Sequence, residues 1–316
     1  MKKEIRTWEC MHWSSSPPRP TCPFSKSNSE VSMVEQKHRI LILGASGFVG
    51  NAMYRELLSF YETYGTYCRQ AGTFGENQVF YQYRAETDSI TELLESVQPT
   101  IIISALQGNF TALFNAHLDL ATYVKRHHEC RVLFLSSNTV FDARFTLPAY
   151  ENDTPAPESN YGKYKIAVEK LLLEHIPAQT AILRLPFVLG VNAPLLLQLR
   201  QACKHQATFE VFPNLIISVT TADKIAQQVH YIINQSLEGI FHLASDDMVH
   251  HEDLFTEICE KMGGKMPIFK KVFRRNDDNY LAILPKFNKL PEAYRISVSE
   301  VIEECTLHQE ISTLKQ

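Results

Sequence analysis

Residues 38–50 have the sequence HRILILGASGFVG. Its first part is a short run of isoleucine and leucine, which predicts a strand buried on both faces of a parallel sheet. The glycines that follow at spacing three and three permit a tight turn, a close backbone approach to a pyrophosphate and close packing of the next helix. The loop follows a predicted strand and opens a predicted helix, so it indicates dinucleotide binding, with a purely structural turn as the alternative. The candidate phosphate-binding residues are Gly44, Ser46, Gly47, Phe48, Val49 and Gly50.

Strand and helix patterns alternate through the following 140 residues. Further strands are predicted at residues 64–69, 79–83, 100–106, 131–137, 180–186 and 239–245. Helices are predicted from residue 48, from Ser89 with its Ser89-x-x-Glu92 capping box, and over 111–127 and 161–174. This alternation predicts an α/β protein with a Rossmann-like, doubly wound parallel sheet covered on both faces. Ligands of such sheets bind at the carboxyl ends of the strands.

The chain divides by composition into three parts. Residues 14–32, SSSPPRPTCPFSKSNSEVS, are rich in serine and proline, which predicts a disordered tail over residues 1–36, with a targeting tail as the alternative. Residues 37–190 are predicted to form the NAD(P)-binding domain. Beyond them the strict alternation is lost, and helices at 222–235 and 251–262 indicate a smaller C-terminal substrate lobe over residues 191–316. Strand 239–245 is expected to return from this lobe to the main sheet.

Composition excludes several classes of protein. The 316-residue chain has a formal net charge of -4, which gives no basic footprint for nucleic acid. Its longest apolar run, Leu185 to Leu199, is interrupted by prolines and a glycine, so no membrane-spanning helix is expected. The seven cysteines contain no CxxC pair, which argues against a zinc ribbon and favours free thiols. We therefore expect a cytoplasmic protein with no metal site, no nucleic-acid partner and no membrane partner.

The tip of the second strand bears on the choice of cofactor. An acidic residue at this place would bind the ribose 2′-hydroxyl of NAD. The sequence here is Tyr67-Cys68-Arg69-Gln70, without a carboxylate. Arg69 could instead pair with a 2′-phosphate, the alternative being a solvated surface arginine. NADP(H) is thus favoured, and NAD(H) stays open.

A serine, a tyrosine and a lysine form the candidate catalytic set. Tyr161 and Lys165 are four residues apart, so they share one face of the predicted helix. A nearby ammonium favours the phenolate and would lower the pKa of Tyr161 from about 10, allowing proton exchange near neutrality. Ser137 ends the fifth strand, where it could hydrogen-bond a carbonyl under reduction. Tyr164 is excluded because its i+4 neighbour is Val168.

Over residues 38–305 the chain resembles the extended short-chain dehydrogenase/reductase family. GASGFVG matches the GxxGxxG of that family, and Ser137, Tyr161 and Lys165 match its serine and YxxxK. The resemblance implies that Asn115 is the asparagine of the fourth helix, and that RLPFVLG at 184–190 lies beside the nicotinamide. Further cofactor contacts are expected at Ser104, Ala105, Leu106, Asn115, Pro186 and Phe187.

Within that family, SSNTVFD (136–142) and PAYENDTPAPESNYGKYK (148–165) are similar to the pattern of dTDP-4-dehydrorhamnose reductases, which the β subunits of methionine adenosyltransferase share. The sequence departs from the reductases in lacking their late arginine-proline motif, since residues 281–291 are LAILPKFNKLP. Lys286 or Lys289 could contact a pyrophosphate instead, the alternative being solvated lysines.

The resemblance implies an NADP(H)-dependent reductase of a 4-keto sugar nucleotide, as in dTDP-rhamnose biosynthesis. Tyr161 would donate the proton, Ser137 would polarise the carbonyl, and Lys165 would hold the ribose. Two alternatives stay open: a non-catalytic NADP-binding regulatory subunit, and an NAD-dependent sugar-nucleotide epimerase. A homodimer is also left open.

Overall fold

Fourteen strands occur among the residues that the computed structural model describes, which are 38–69, 74, 77–273 and 276–313. The tail predicted over residues 1–36 lies outside them. In chain order the strands are β1 (Arg39–Leu43), β2 (Glu62–Tyr67), β3 (Phe80–Gln82), β4 (Ile101–Ser104), β5 (Arg131–Ser137), β6 (Thr180–Leu185), β7 (Phe187–Leu189), β8 (Thr208–Val211), β9 (Leu215–Ile217), β10 (Val219–Thr221), β11 (Gly239–His242), β12 (Val249–His250), β13 (Ile268–Lys271) and β14 (Asn279–Leu281).

The helices within these described ranges alternate with the first strands and then dominate the C-terminal part. They are α1 (Phe48–Leu57), α2 (Ile90–Val97), α3 (Phe110–Arg126), α4 (Asn160–His175), α5 (Pro194–His205), α6 (Ala222–Asn234), α7 (His251–Met262) and α8 (Val298–Thr313). No helix of this described part is long and apolar enough to cross a membrane.

The central sheet has seven strands in the order β11-β6-β5-β4-β1-β2-β3. All neighbouring pairs are parallel. The chain leaves β1 in one direction towards β2 and β3, and then continues on the other side of β1 with β4. This reversal confirms the predicted Rossmann-like, doubly wound sheet and places the switch point between β1 and β4, directly above the glycine loop.

Strand β1 shows why the sheet is covered on both faces. Ile40 and Ile42 belong to the hydrophobic core formed with α1 and α6, whereas Leu41 and Leu43 belong to the core formed with α2, α3 and α4. All four side chains are completely buried. Successive side chains of a strand point to opposite faces, so a run without polar residues requires helices on both sides.

The C-terminal part carries its own core and several strands that the sequence did not predict. Helices α5, α7 and α8 pack with β8, β9 and β10 around side chains such as Leu199 and Phe255. The strands here have two to four residues, too short for an apolar-polar period to show in the sequence. Strand β11 leaves this region and pairs with β6, with His242 opposite Arg184. The domain boundary at residue 190 stays a prediction.

Candidate active site

The glycine loop between β1 and α1 turns tightly because its backbone is bonded to the neighbouring strand β2. Gly44 has a φ of +85°, which L side chains rarely adopt. Its amide donates to Thr66 Oγ1 at 2.8 Å, and the amide of Gly47 donates back to Gly44 O at 3.0 Å. A β-carbon on Gly50 would lie 2.2 Å from Gly44 O, so α1 can approach the loop this closely only without a side chain there.

Gly50→Ala is therefore expected to push α1 away from the loop. We expect dinucleotide affinity to fall more than tenfold and the free energy of unfolding to fall by about 1–3 kcal/mol, the usual cost of overpacking. Gly264→Ala is the matched control, since a β-carbon there meets nothing within 4 Å. Calorimetric titration with NADPH and urea denaturation measure the two effects. Equal affinity in Gly50→Ala and the parent protein would contradict this account of the loop.

Helix α1 begins without a side-chain cap. Its N-cap residue is Gly47, no side chain accepts a hydrogen bond from the first turn, and that turn holds no acidic residue. The first backbone N–H groups therefore remain available at the positive end of the helix dipole, an arrangement that favours an anion.

A cleft of about 1020 Å³ extends from the glycine loop across the carboxyl ends of the central strands. This volume lies at the upper end of the range for ligand pockets and leaves room for an extended ligand. Most of the predicted site residues line it: Gly44, Ser46, Gly47, Phe48, Val49, Gly50, Arg69, Ala105, Leu106, Ser137, Tyr161, Lys165 and Pro186. The structure thus brings the glycine loop and the candidate catalytic residues to one cavity.

Three predicted cofactor residues do not line this cleft. Ser104 is buried, and its hydroxyl is bonded to Nε2 of the buried His117 at 2.8 Å. Asn115 lies exposed on α3. Phe187 packs towards the C-terminal core, with its ring centroid 6.1 Å from that of His251. Cofactor contact by these three residues stays a prediction that their placement does not support.

Several cleft residues were not predicted from the sequence. They lie at or after the ends of β2, β3 and β4, on β5, β6 and β7, or on α3 and α5: Thr66, Tyr67, Cys68, Tyr83, Arg84, Ala85, Glu86, Gln107, Gly108, Leu113, Leu135, Ser136, Leu185, Val188 and Pro194. Among the described residues, the buried hydroxyl of Tyr83 finds no hydrogen-bond partner. The rule that ligands bind at the carboxyl ends of parallel strands could have found the segments after β3 and β4.

Ser137 on β5 and Tyr161 and Lys165 on α4 line the same cleft, and the Ser137 hydroxyl donates to Asn138 Oδ1 at 3.2 Å. The hydroxyl of Ser159 caps α4 by accepting from the amide of Gly162 at 3.0 Å, which places Tyr161 in the first helical turn. Lys165 Nζ lies 5.4 Å from the ring centroid of Tyr161 and donates to Leu135 O at 2.7 Å. The lysine therefore lies beneath the tyrosine ring and is hydrogen-bonded to β5.

Burial shifts the pKa values of both Lys165 and Tyr161. It lowers the pKa of Lys165 to about 7, although the negative charge of Glu169 opposes the shift. Burial also raises the pKa of Tyr161. The expectation that Lys165 lowers the pKa of Tyr161 is therefore not met, because Nζ lies under the ring and donates to a backbone carbonyl rather than contacting the hydroxyl.

A buried ion pair lies directly behind the candidate catalytic residues. Glu169, one turn after Lys165 on α4, binds Arg184 of β6 with Oε2 to Nη2 at 2.7 Å and Oε1 to Nε at 3.1 Å. Both side chains are 2% exposed. Ser136 also donates its hydroxyl to Glu169. The ion pair therefore ties α4 to the two strands that end at the cleft.

Arg184 also connects this ion pair to the C-terminal part of the chain. Its Nη1 donates to Glu151 O at 3.3 Å and lies 3.4 Å from Nε2 of His242. The carboxylate of Glu151 in turn accepts from the amides of Lys286 and Phe287. The lysines proposed for a pyrophosphate lie in this segment, outside the cleft lining: Lys286 covers the ring of Tyr150, and Lys289 pairs with Asp246 at 3.0 Å.

The residues present fit a dinucleotide. The loop backbone offers uncapped N–H groups for phosphates, the cleft has a volume of about 1020 Å³, and Tyr161 and Lys165 line it together with the loop. Within the described ranges, no cluster of histidine, cysteine, aspartate or glutamate side chains could hold a metal ion.

The sheet and its glycine loop define a Rossmann-like α/β protein. Residues 38–276 match the family described as RmlD substrate binding domain, and the chain belongs to that family.

Curated relatives are of two kinds. Methionine adenosyltransferase 2 subunit beta of Danio rerio is 27% identical over 260 residues, which are 75% of this chain and 78% of the relative. A probable low-salt glycan biosynthesis reductase of Haloferax volcanii is 24% identical over 243 residues, 71% of this chain and 80% of the relative. The first is named as a subunit of an adenosyltransferase, and the second is named as a reductase.

Solved structures share the fold. A dTDP-4-dehydrorhamnose reductase from Bacillus anthracis, in complex with NADP, has a TM-score of 0.71 at 16% identity and covers 86% of this chain and 99% of its own. The Bordetella bronchiseptica enzyme WbmG, in complex with NAD and UDP, has a TM-score of 0.72 at 15% identity and covers 88% of this chain and 96% of its own. At these identities the likeness concerns the fold alone.

Proposed function

We propose that the protein is an NADP(H)-dependent reductase of a 4-keto sugar nucleotide. The observation that carries the proposal is the convergence of the glycine loop with Ser137, Tyr161 and Lys165 on one cleft. The reductases among the relatives and the structural neighbours support it.

Each step of the proposed reaction is assigned to residues at a different place in the cleft. The glycine loop and the first turn of α1 bind the phosphates. A nicotinamide cofactor held there would supply the hydride. Ser137 ends β5 at the cleft and donates a hydrogen bond to the substrate carbonyl. The Tyr161 hydroxyl gives its proton to the developing alkoxide, and Lys165, held by Leu135 O beneath the tyrosine ring, binds the ribose.

The test is oxidation of NADPH against a panel of dTDP-, GDP- and UDP-linked 4-keto sugars. We expect turnover with at least one member of the panel and none with the matching 4-hydroxy sugars. NADPH binding without turnover on any member would contradict the reductase.

The named relative from Danio rerio favours a second candidate, an NADP-binding regulatory subunit of a methionine adenosyltransferase. It is supported by the 75% of this chain that the match covers and by the absent late arginine-proline motif. Co-purification with a methionine adenosyltransferase catalytic subunit, together with a change in that subunit's kinetics, would favour this candidate. Failure of the two proteins to associate would contradict the regulatory-subunit candidate.

Arg69 is proposed to set the preference for NADP. It lines the cleft after β2 and is exposed, and the strand tip Tyr67-Cys68-Arg69 carries no carboxylate. We expect Arg69→Ala to lower NADPH affinity by roughly tenfold or more, the loss of a charge-assisted contact, and to leave NADH affinity nearly unchanged. Calorimetric titration with both cofactors measures the difference. Equal affinity of the parent protein for NADPH and NADH would show that the assignment of Arg69 is wrong.

A further inference from the structure

Two arginines lie at the same end of the cleft, at the tips of neighbouring parallel strands. Arg69 follows β2 and Arg84 follows β3, and both line the cavity. Tyr67 and Gln82 are partners in the ladder, so each arginine comes two residues after a paired position. Neighbouring strands are about 4.8 Å apart. The two arginines therefore follow adjacent, paired strand ends at the same edge of the sheet.

Hydrogen bonds fix the backbone that carries Arg84. The ladder continues past β3, since the amide of Tyr83 donates to Tyr67 O at 2.9 Å. The amide of Arg84 donates to Asp88 Oδ2 at 2.7 Å, and its carbonyl accepts from the amide of Asp88 at 2.9 Å. The nearby carboxylate of Asp88 is thus engaged by the backbone of the turn and by the Thr87 hydroxyl at 2.8 Å, and it makes no ion pair with Arg84.

Both guanidinium groups are exposed, and neither is bonded to another side chain in the part of the chain that the structure describes. Glu86 is the carboxylate that lines this end of the cleft, and it makes no ion pair with either arginine in that part. Two unpaired cations that face one cavity favour an anionic group with more than one acceptor oxygen. A phosphate monoester carries a charge of about -1.5 to -2 at pH 7 and three such oxygens.

We propose that Arg84 is a second guanidinium for the 2′-phosphate of NADP(H), acting together with Arg69; this inference rests on the proposed binding of a dinucleotide. The sequence alone favoured Arg69 because it follows the second strand, where the acidic residue of NAD-binding proteins is expected. Arg84 is 15 residues further along the chain, and only the register of β2 with β3 brings it to the same end of the cleft.

The test compares ligands that differ only in the 2′-phosphate. Affinities for NADPH, NADH, 2′,5′-ADP, 5′-AMP and inorganic phosphate are measured by calorimetry on the parent protein, Arg84→Ala and Arg84→Lys. Arg126→Ala is the matched control, because it removes an exposed arginine at the end of α3, about 20 Å along the helix axis from the cleft residue Leu113. Thermal melts confirm that each variant is folded.

We expect Arg84→Ala to weaken NADPH and 2′,5′-ADP by roughly 10- to 100-fold while NADH and 5′-AMP change less than about threefold. Arg84→Lys should retain part of the preference, and Arg126→Ala all of it. An equal loss for NADPH and NADH would overturn the inference, because Arg84 would then contact the adenosine and not its phosphate. A loss for inorganic phosphate alone would also overturn it. If the parent prefers NADPH and Arg84→Ala keeps that preference, only this inference fails; if the parent binds neither dinucleotide, the proposed function fails with it.

Discussion

Tyr161→Phe is expected to reduce turnover by roughly 10²- to 10⁴-fold, the contribution of a positioned general acid. The substitution keeps the ring above Lys165 and removes only the hydroxyl, so the hydrogen bond from the lysine to Leu135 O is retained. NADPH affinity should stay within about twofold of the parent value. Steady-state rates on the reactive 4-keto sugar and calorimetric titration give the two quantities.

Tyr164→Phe provides the matched control for this experiment. Tyr164 lies on the same helix and is buried, and its hydroxyl has no hydrogen-bond partner in the described ranges. Its removal should leave both turnover and cofactor affinity unchanged. A Tyr161→Phe variant as active as the parent would end the assignment of Tyr161 as the general acid, whatever the substrate.

Glu169→Ala is expected to lower the free energy of unfolding by about 3–5 kcal/mol, because it leaves the guanidinium of Arg184 buried without its counter-charge. Ser136 loses its acceptor in the same variant. Replacing both partners by apolar residues, Glu169→Leu with Arg184→Met, removes the uncompensated charge and should recover most of the loss.

Urea denaturation of the single and double variants measures this interaction. Arg144→Ala is the comparison, since Arg144 pairs with Asp153 at a partly exposed place, with side chains 33% and 27% exposed, and should cost no more than about 1 kcal/mol. A Glu169→Ala variant no less stable than Arg144→Ala would show that the buried ion pair does not hold α4 to the sheet.

Local patterns predicted much of the fold and the centre of the site. The apolar run of β1 and the glycine spacing are features of consecutive residues, and Tyr161 and Lys165 share a face because a helix repeats every 3.6 residues. The same helical period argues against contact between Asn115 and the cofactor. The buried positions of α3 include Leu113, Ala116 and His117, and Asn115 falls between them on the solvent side.

The remaining features depend on pairing between distant segments. Glu169 meets Arg184 only because β6 lies beside β5, with Arg184 in register with Ser136. Arg84 reaches the cleft only because β3 continues the ladder of β2. Strand register is set by tertiary packing, which a single sequence without a periodic signal does not reveal. The short strands of the C-terminal part were missed for the same reason.

Strand β11 is synthesised well after its neighbour β6, and this order affects folding during synthesis. Strand β6 ends at Leu185, and its outer neighbour β11 begins at Gly239, about 50 residues later. At a ribosomal rate of roughly 5–20 residues per second, the fully buried strand β6 has no partner on that side for about 3–10 seconds. An apolar, unpaired edge is a template for pairing with other chains. Nascent chains of this protein therefore pass through an interval in which this apolar strand lacks its native neighbour and is open to pairing with other chains.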